Sequence, residues 1–184
     1  SIPFDDVSLT IRRTPLTVVP LAPVPVSLGL GGNVGDVRGH LRAAVAGLRE
    51  VLDDVRVGPL VRAPAMTLPE SDPQPDYLNT VVTARTRLAA AEVLALAHSL
   101  ELEAGRRRDA RWGPRTLDVD VLAYGDVVSA DLELVLPHPG AGERSFVVVP
   151  WAALEPERSL DGESLAARSA RLSGEILETR EDWA

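Results

Sequence analysis

Two segments of helical periodicity alternate with strand-like runs along this chain, and that alternation leaves few folds open to it. Val24–Leu30 is a short apolar run with Gly29 in it and Gly31 and Gly32 just after it, which reads as a buried first strand. Asn33-Val34-Gly35-Asp36 then supplies a turn, with Asp36 suited to cap the helix that follows. Val37, Leu41, Ala44, Val45, Leu48, Val51 and Leu52 recur at helical spacing, predicting a helix over 37–52. Val55–Arg62 reads as a second strand, and residues 63–76, with four prolines, as a loop. Leu78–Leu88 alternates, with Leu78, Thr80, Val82 and Ala84 on one face. Residues 89–104 form a second helix through Val93, Leu94, Ala97, Leu100 and Ala104, stopped by Gly105. A strand over Leu117–Tyr124, a turn at Gly125-Asp126 into Val127-Val128, and a partner at Leu132–Leu136 complete the sheet and add a hairpin. Residues 145–155 and 163–179 read as C-terminal helices. The order β-α-β-β-α-β predicts an α+β fold with a ferredoxin-like core.

At 184 residues and 45% apolar content the chain can bury a full core in one domain. It has no cysteine, so disulfides, thiolate zinc sites and cysteine nucleophiles are excluded. All 19 basic residues are arginine, which excludes a Walker-type phosphate loop and any lysine-dependent kinase site. No apolar run reaches the ~20 residues of a membrane span and no signal-peptide pattern is present, so a cytoplasmic setting is expected. A net charge of −8 argues against nucleic acid as the main partner.

Against that acidic background, residues 106–115 carry five arginines and one aspartate, a local +4 in a chain whose remainder therefore sums to −12. A cationic cluster beside the Asp118-Val119-Asp120 pair points to an anionic partner that arrives with metal, and polyphosphate plus magnesium meets both demands. On a strand, Asp118 and Asp120 share a face with Cα atoms roughly 6.6 Å apart. Carboxylates so placed can converge on hard cations completed by phosphate oxygens. Taken alone, the pair reads more readily as a solvated strand face, and it is the adjacent arginines that shift the weight toward a site. Arg115, three residues earlier and after Gly113-Pro114, offers a planar fork for phosphate. Arg106, Arg108 and Arg111 lie on the preceding loop, and Trp112 there either anchors it or stacks on a ligand.

Tyr77 and Phe146 are two of the four Tyr and Phe residues, and Asn79 follows Tyr77 by two on the same strand face. Two aromatics and an amide suit a flat heterocycle, or plain core packing. His98 lies on the second helix one turn before Glu101. His138 sits between two prolines, six residues before Arg144. No metal-binding spacing joins the histidines.

These motifs together resemble the 6-hydroxymethyl-7,8-dihydropterin pyrophosphokinase family over about Val24–Glu157. The most specific segment is R-W-G-P-R-T-L-D-V-D (111–120). G-G-N-V-G-D (31–36), Q-P-D-Y-L-N (74–79), E-L-E-A-G-R-R-R (101–108) and L-P-H-P-x₄-R-x-F (136–146) support it. The resemblance implies a ferredoxin-like fold and transfer of the terminal diphosphate of ATP to the pterin hydroxymethyl group, releasing AMP, in folate biosynthesis. It implies that Asp118 and Asp120 hold two Mg²⁺ ions and that Arg106 and Arg115 bind phosphate oxygens during transfer, with Arg108 and Arg111 helping. Tyr77 and Phe146 would stack on the pterin and Asn79 would bond its edge. His98, Glu101, His138 and Arg144 would contact the nucleotide, with Trp112 sealing the site. The chain departs from the family pattern at Gly32, at Asp109, and in Ala63-Pro64-Ala65-Met66.

Residues 1–23, rich in proline toward their end, are expected to form an N-terminal extension ahead of a pyrophosphokinase domain over 24–184. Phe4–Arg13 resembles the closing strand of dihydroneopterin aldolase, so a fusion to that enzyme is expected. Two rival readings of the site are a nucleotidyltransferase with an Asp-x-Asp metal pair and a catalytically silent domain that binds nucleotide or pterin.

Overall fold

The alternation read from the sequence folds into one antiparallel sheet covered on both faces. A computed structural model describes residues 15–65, 69–105 and 115–184. In chain order the elements are β1 (Val24–Gly32), α1 (Val37–Val51), β2 (Asp53–Val57), β3 (Leu60–Ala63), β4 (Tyr77–Thr86), α2 (Ala90–Glu103) and β5 (Asp118–Tyr124). The hairpin β6 (Ser129–Asp131) and β7 (Leu134–Leu136) follows, then α3 (Ser145–Leu154), β8 (Ser159–Leu160), β9 (Glu163–Ser164), α4 (Leu165–Leu172) and β10 (Glu178–Arg180). Among the described residues the main sheet runs β10-β3-β4-β1-β5, with β2 also paired to β4. The first four strands of the predicted order thus take the ferredoxin-like arrangement, β1 and β4 central and β5 at one side.

Alternating side chains divide the sheet between two cores. Val26, Leu28, Leu30, Val82, Ala84, Val119 and Val121 meet Leu41, Leu48, Val93 and Ala97 of α1 and α2 on one face. Val81 and Leu122 meet Val148 and Trp151 of α3 and Leu165 of α4 on the other. Each fully buried aliphatic side chain contributes roughly 1.5–3 kcal/mol, so both layers matter to stability. The expected caps are present: the Asp36 carboxylate accepts from the Gly39 N–H at 3.1 Å, and Gly105, with φ 75°, ends α2.

Three expectations need correcting. The strand expected over 55–62 is two strands, because the pairs Val57↔Val82 and Val61↔Asn79 differ by one residue in register. The slip sits at Gly58-Pro59-Leu60, where the Gly58 carbonyl turns to accept from Thr80 Oγ1 at 3.0 Å and from Trp183 Nε1 at 2.9 Å. The helix expected over 163–179 is only α4, which Ser164 caps through its side chain; Ser173-Gly174 ends it in a 3₁₀ turn. The chain then re-enters the main sheet as β10, pairing Thr179 with Val61. Val127-Val128 links the Gly125-Asp126 turn to the hairpin rather than belonging to it, pairing starting at Ser129↔Leu136.

Candidate active site

The register of three strands builds the site floor. Gly31 of β1 lies between Asn79 of β4 and Asp118 of β5, and Gly29 lies between Val81 and Asp120. Asp118 and Asp120 therefore share one face, while Val119 and Val121 enter the core on the other. The face carrying the carboxylates opens into a cavity of about 500 Å³. Its floor is low because Gly29 and Gly31 present no side chain. A Cβ on Gly31 would fall 2.1 Å from Asn79 Oδ1, so only glycine lets the amide lie across β1.

One wall is aromatic. Tyr77 and Asn79, at the start of β4, and Phe146, in the first turn of α3, all line the cavity. Asn79 is 8% exposed, and its Nδ2 has no hydrogen-bond partner among the described residues. A buried donor left in that state favours a ligand that supplies an acceptor.

The opposite wall carries charge and imidazole. His98 and Glu101 reach the cavity from α2, and His138 and Arg144 from the segment between β7 and α3. Glu101, 2% exposed, accepts from the Val119 N–H at 3.2 Å, which ties α2 to β5 between the two aspartates. Burial pushes the His138 imidazole below its ordinary pKa, and the Arg144 cation lowers it further. His138 Nδ1 is buried without a partner among the described residues.

Arg115 stands at the entry to β5 with its guanidinium 3.5 Å from Asp118. Its backbone is held by Asn33: the Asn33 and Val34 N–H groups donate to the Arg115 carbonyl at 2.9 and 3.2 Å. Arg115 N–H in turn donates to Asn33 Oδ1 at 2.9 Å. The structure thus gathers Tyr77, Asn79, His98, Glu101, Arg115, Asp118, Asp120, His138, Arg144 and Phe146 around one cavity. Arg106, Arg108, Arg111 and Trp112 lie outside the described residues.

Residues 27–156 match the model of the family 7,8-dihydro-6-hydroxymethylpterin-pyrophosphokinase, HPPK. The chain belongs to this family. Its HPPK match covers every described cavity residue named above, from Gly29 to Phe146. Among its relatives is a 2-amino-4-hydroxy-6-hydroxymethyldihydropteridine pyrophosphokinase of Methylorubrum extorquens, 39% identical over 153 residues, covering 82% of this chain and 95% of that one. A protein of the same name in Synechocystis is 40% identical over 132 residues, 71% of this chain and 66% of the relative. The Mycobacterium leprae protein of that name is 35% identical over 168 residues, with 85% of each covered. The fold is similar to wild-type Plasmodium falciparum HPPK-DHPS, with a TM-score of 0.60 at 9% identity over 85% of this chain; the chain spans 46% of that one.

Sequence reading had picked out the side chains but not what supports them. Gly31 and Asn33 enter the sequence argument as part of the G-G-N-V-G-D segment, and Gly29 as part of the first strand, with no role in the site given to any of them. The signal for the glycines was their i, i+2 spacing, which leaves one face of β1 bare. Nothing local shows what Asn33 bonds, because its partners are 41, 42 and 82 residues away.

Proposed function

We propose that this chain transfers the terminal diphosphate of ATP to the hydroxymethyl group of 6-hydroxymethyl-7,8-dihydropterin, releasing AMP, as a step of folate biosynthesis. The observation that carries the reading is the union in one cavity of the Asp118/Asp120 pair, the Arg115 fork and the aromatic wall with its Asn79 donor, which has no partner among the described residues. The substrate hydroxyl oxygen attacks the β-phosphorus as the bond from that phosphorus to the α–β bridging oxygen breaks; AMP leaves carrying that oxygen, and the hydroxyl proton passes to solvent water. Such transfer depends on placement and charge neutralisation more than on covalent help from the protein.

The donor set fits magnesium. Asp118 and Asp120 present hard carboxylate oxygens on one face at the cavity floor, and among the described residues no cluster of three or more potential ligands surrounds them. A site of two carboxylates leaves positions for phosphate oxygens and water, the way Mg²⁺ is ordinarily held. Asp118 and Asp120 would hold two ions, whose contribution is to neutralise and polarise the phosphate oxygens. Arg115, now on Asp118, is placed to turn its fork to a phosphate, with Arg106, Arg108 and Arg111 as further cations. Tyr77 and Phe146 flank the heterocycle, and Asn79 Nδ2 donates to its edge. His98, Glu101, His138 and Arg144 form the nucleotide side, with Trp112 closing the site.

Among the described residues no helix is long and apolar enough to cross a membrane, and we place the reaction in the cytoplasm with its nucleotide. Residues 1–23 are assigned to the end of an upstream aldolase domain and its linker; Leu16, within that span, is buried in the main core. The deciding experiment incubates the chain with ATP, Mg²⁺ and the hydroxymethyl pterin. AMP forming in step with pterin diphosphate is expected. ADP, or pyrophosphate from a nucleotidyl transfer, or no turnover would sink the reading.

A further inference from the structure

One buried amide reaches both halves of the cavity. Asn33, 5% exposed, follows β1 directly. Its side-chain oxygen accepts from the Arg115 N–H at 2.9 Å, and its backbone N–H donates to the Arg115 carbonyl at 2.9 Å. Its side-chain nitrogen donates the other way, to Gln74 Oε1 at 3.2 Å and to the Pro75 carbonyl at 3.1 Å. Gln74-Pro75 leads directly into Tyr77, where the aromatic wall begins. The acceptor end of Asn33 therefore holds the phosphate side and its donor end holds the pterin side.

The site asks for an acceptor and a donor on one short planar group, which few side chains supply. Aspartate keeps the acceptor for Arg115 but sets a carboxylate against two acceptor oxygens. Leucine keeps the volume and loses every side-chain bond. Serine is too short to reach across. Arg62 pins the same segment from outside, through Asp76 at 2.6 Å, so its position is fixed from two directions.

We infer that Asn33 is a positioning residue for the transfer, setting the separation between Arg115 and the wall that begins at Tyr77. The inference rests on the pyrophosphokinase reading above. In-line transfer needs the reacting atoms about 3–3.5 Å apart, and a misplacement near 1 Å costs on the order of 10²-fold in rate. A single amide joining the two binding surfaces fixes that separation without touching either substrate.

The test compares wild type, Asn33→Asp, Gln74→Ala and the double variant. The readouts are KM for each substrate, kcat, and pterin binding measured by its own fluorescence beside a non-hydrolysable ATP analogue. Asn33→Asp should raise the pterin KM and weaken pterin binding by about tenfold, with a fall in kcat and an ATP KM within about twofold of wild type. Gln74→Ala should raise the pterin KM by a smaller factor, and should add little on top of Asn33→Asp because the shared bond is already gone. Equal shifts in both KM values, or full multiplication of the two single effects, would overturn the inference. Should Asn33→Asp fail to fold, Asn33→Ser, too short to reach Gln74 or Pro75, is read beside Gln74→Ala: a wild-type pterin KM in both rejects the bridge. If wild type makes no pterin diphosphate, the reaction reading fails, and pterin binding by the same variants still judges Asn33.

Discussion

At the scale of single residues, the sharpest contrast is between Asp118 or Asp120 and their neighbour Val119. The aspartates face the cavity and Val119 the core, so Asp120→Ala removes the proposed metal ligand without opening a core void. Turnover should fall by on the order of 10³-fold, since metal stabilisation of phosphate charge is worth several kcal/mol. The urea midpoint should stay near wild type, and a near-normal rate would reject the metal role. Gly31→Ala sets a methyl 2.1 Å from Asn79 Oδ1, whereas the nearest atom to a Cβ on Gly29 belongs to Leu122, at an ordinary 3.5 Å. Pterin affinity should therefore drop steeply in the first and little in the second, which titration of pterin fluorescence can compare. His138 adds a pH signature, because its folded pKa lies below the ordinary imidazole value of 6.5. Below about 6.5 the unfolded chain takes up more protons than the native one, so stability falls as pH drops through that window. His138→Gln should lessen that fall, read as denaturation midpoints from neutral to mildly acidic pH.

At the scale of elements, periodicity gave good account of itself wherever one face is apolar over several turns. α1 follows the predicted stripe through Val37, Leu41, Ala44, Val45 and Leu48, which are buried, while Val51, the last of the stripe within the helix, is exposed. It failed where long-range contacts set the boundary. Gly58 breaks the second strand because its carbonyl is wanted by Thr80 and Trp183, and because Pro150 of α3 packs directly over it. A Cβ there would lie 2.8 Å from the Pro150 carbonyl oxygen. Gly58→Ala should cost about 1–3 kcal/mol from overpacking, measured by urea unfolding, and an unchanged midpoint would show that α3 yields. The short α4 had its own local signal in Ser173-Gly174, but β10 had none. Glu178-Thr179-Arg180 carries no apolar alternation, and it is a strand only because the edge of β3 offers unpaired groups.

At the scale of the whole molecule, the end of the chain completes the first core. Trp183 is 3% exposed within the cluster that holds α1 and α2. Its carbonyl receives two bonds from the Arg42 guanidinium, at 2.8 and 3.0 Å. Trp183 does not line the active-site cavity. Trp183→Ala should therefore cost about 3–5 kcal/mol in unfolding free energy while leaving kcat per folded molecule near wild type. A large loss of kcat with an unchanged midpoint would place the C-terminus in the catalytic machinery instead.

The candidate residues were legible from the sequence because they are local in kind: a cationic run, an i, i+2 carboxylate pair, an aromatic two residues from an amide. The ferredoxin-like order was legible because periods of 3.6 and 2 report which face of an element is buried. Convergence was not legible. That Asn79, Gly31 and Asp118 lie in one row across the sheet is decided by strand register, and that Asn33 joins residues 41 and 82 positions away is decided by packing. Register and packing are set by hydrogen bonds and contacts distant in sequence, and only the folded sheet brings those partners together.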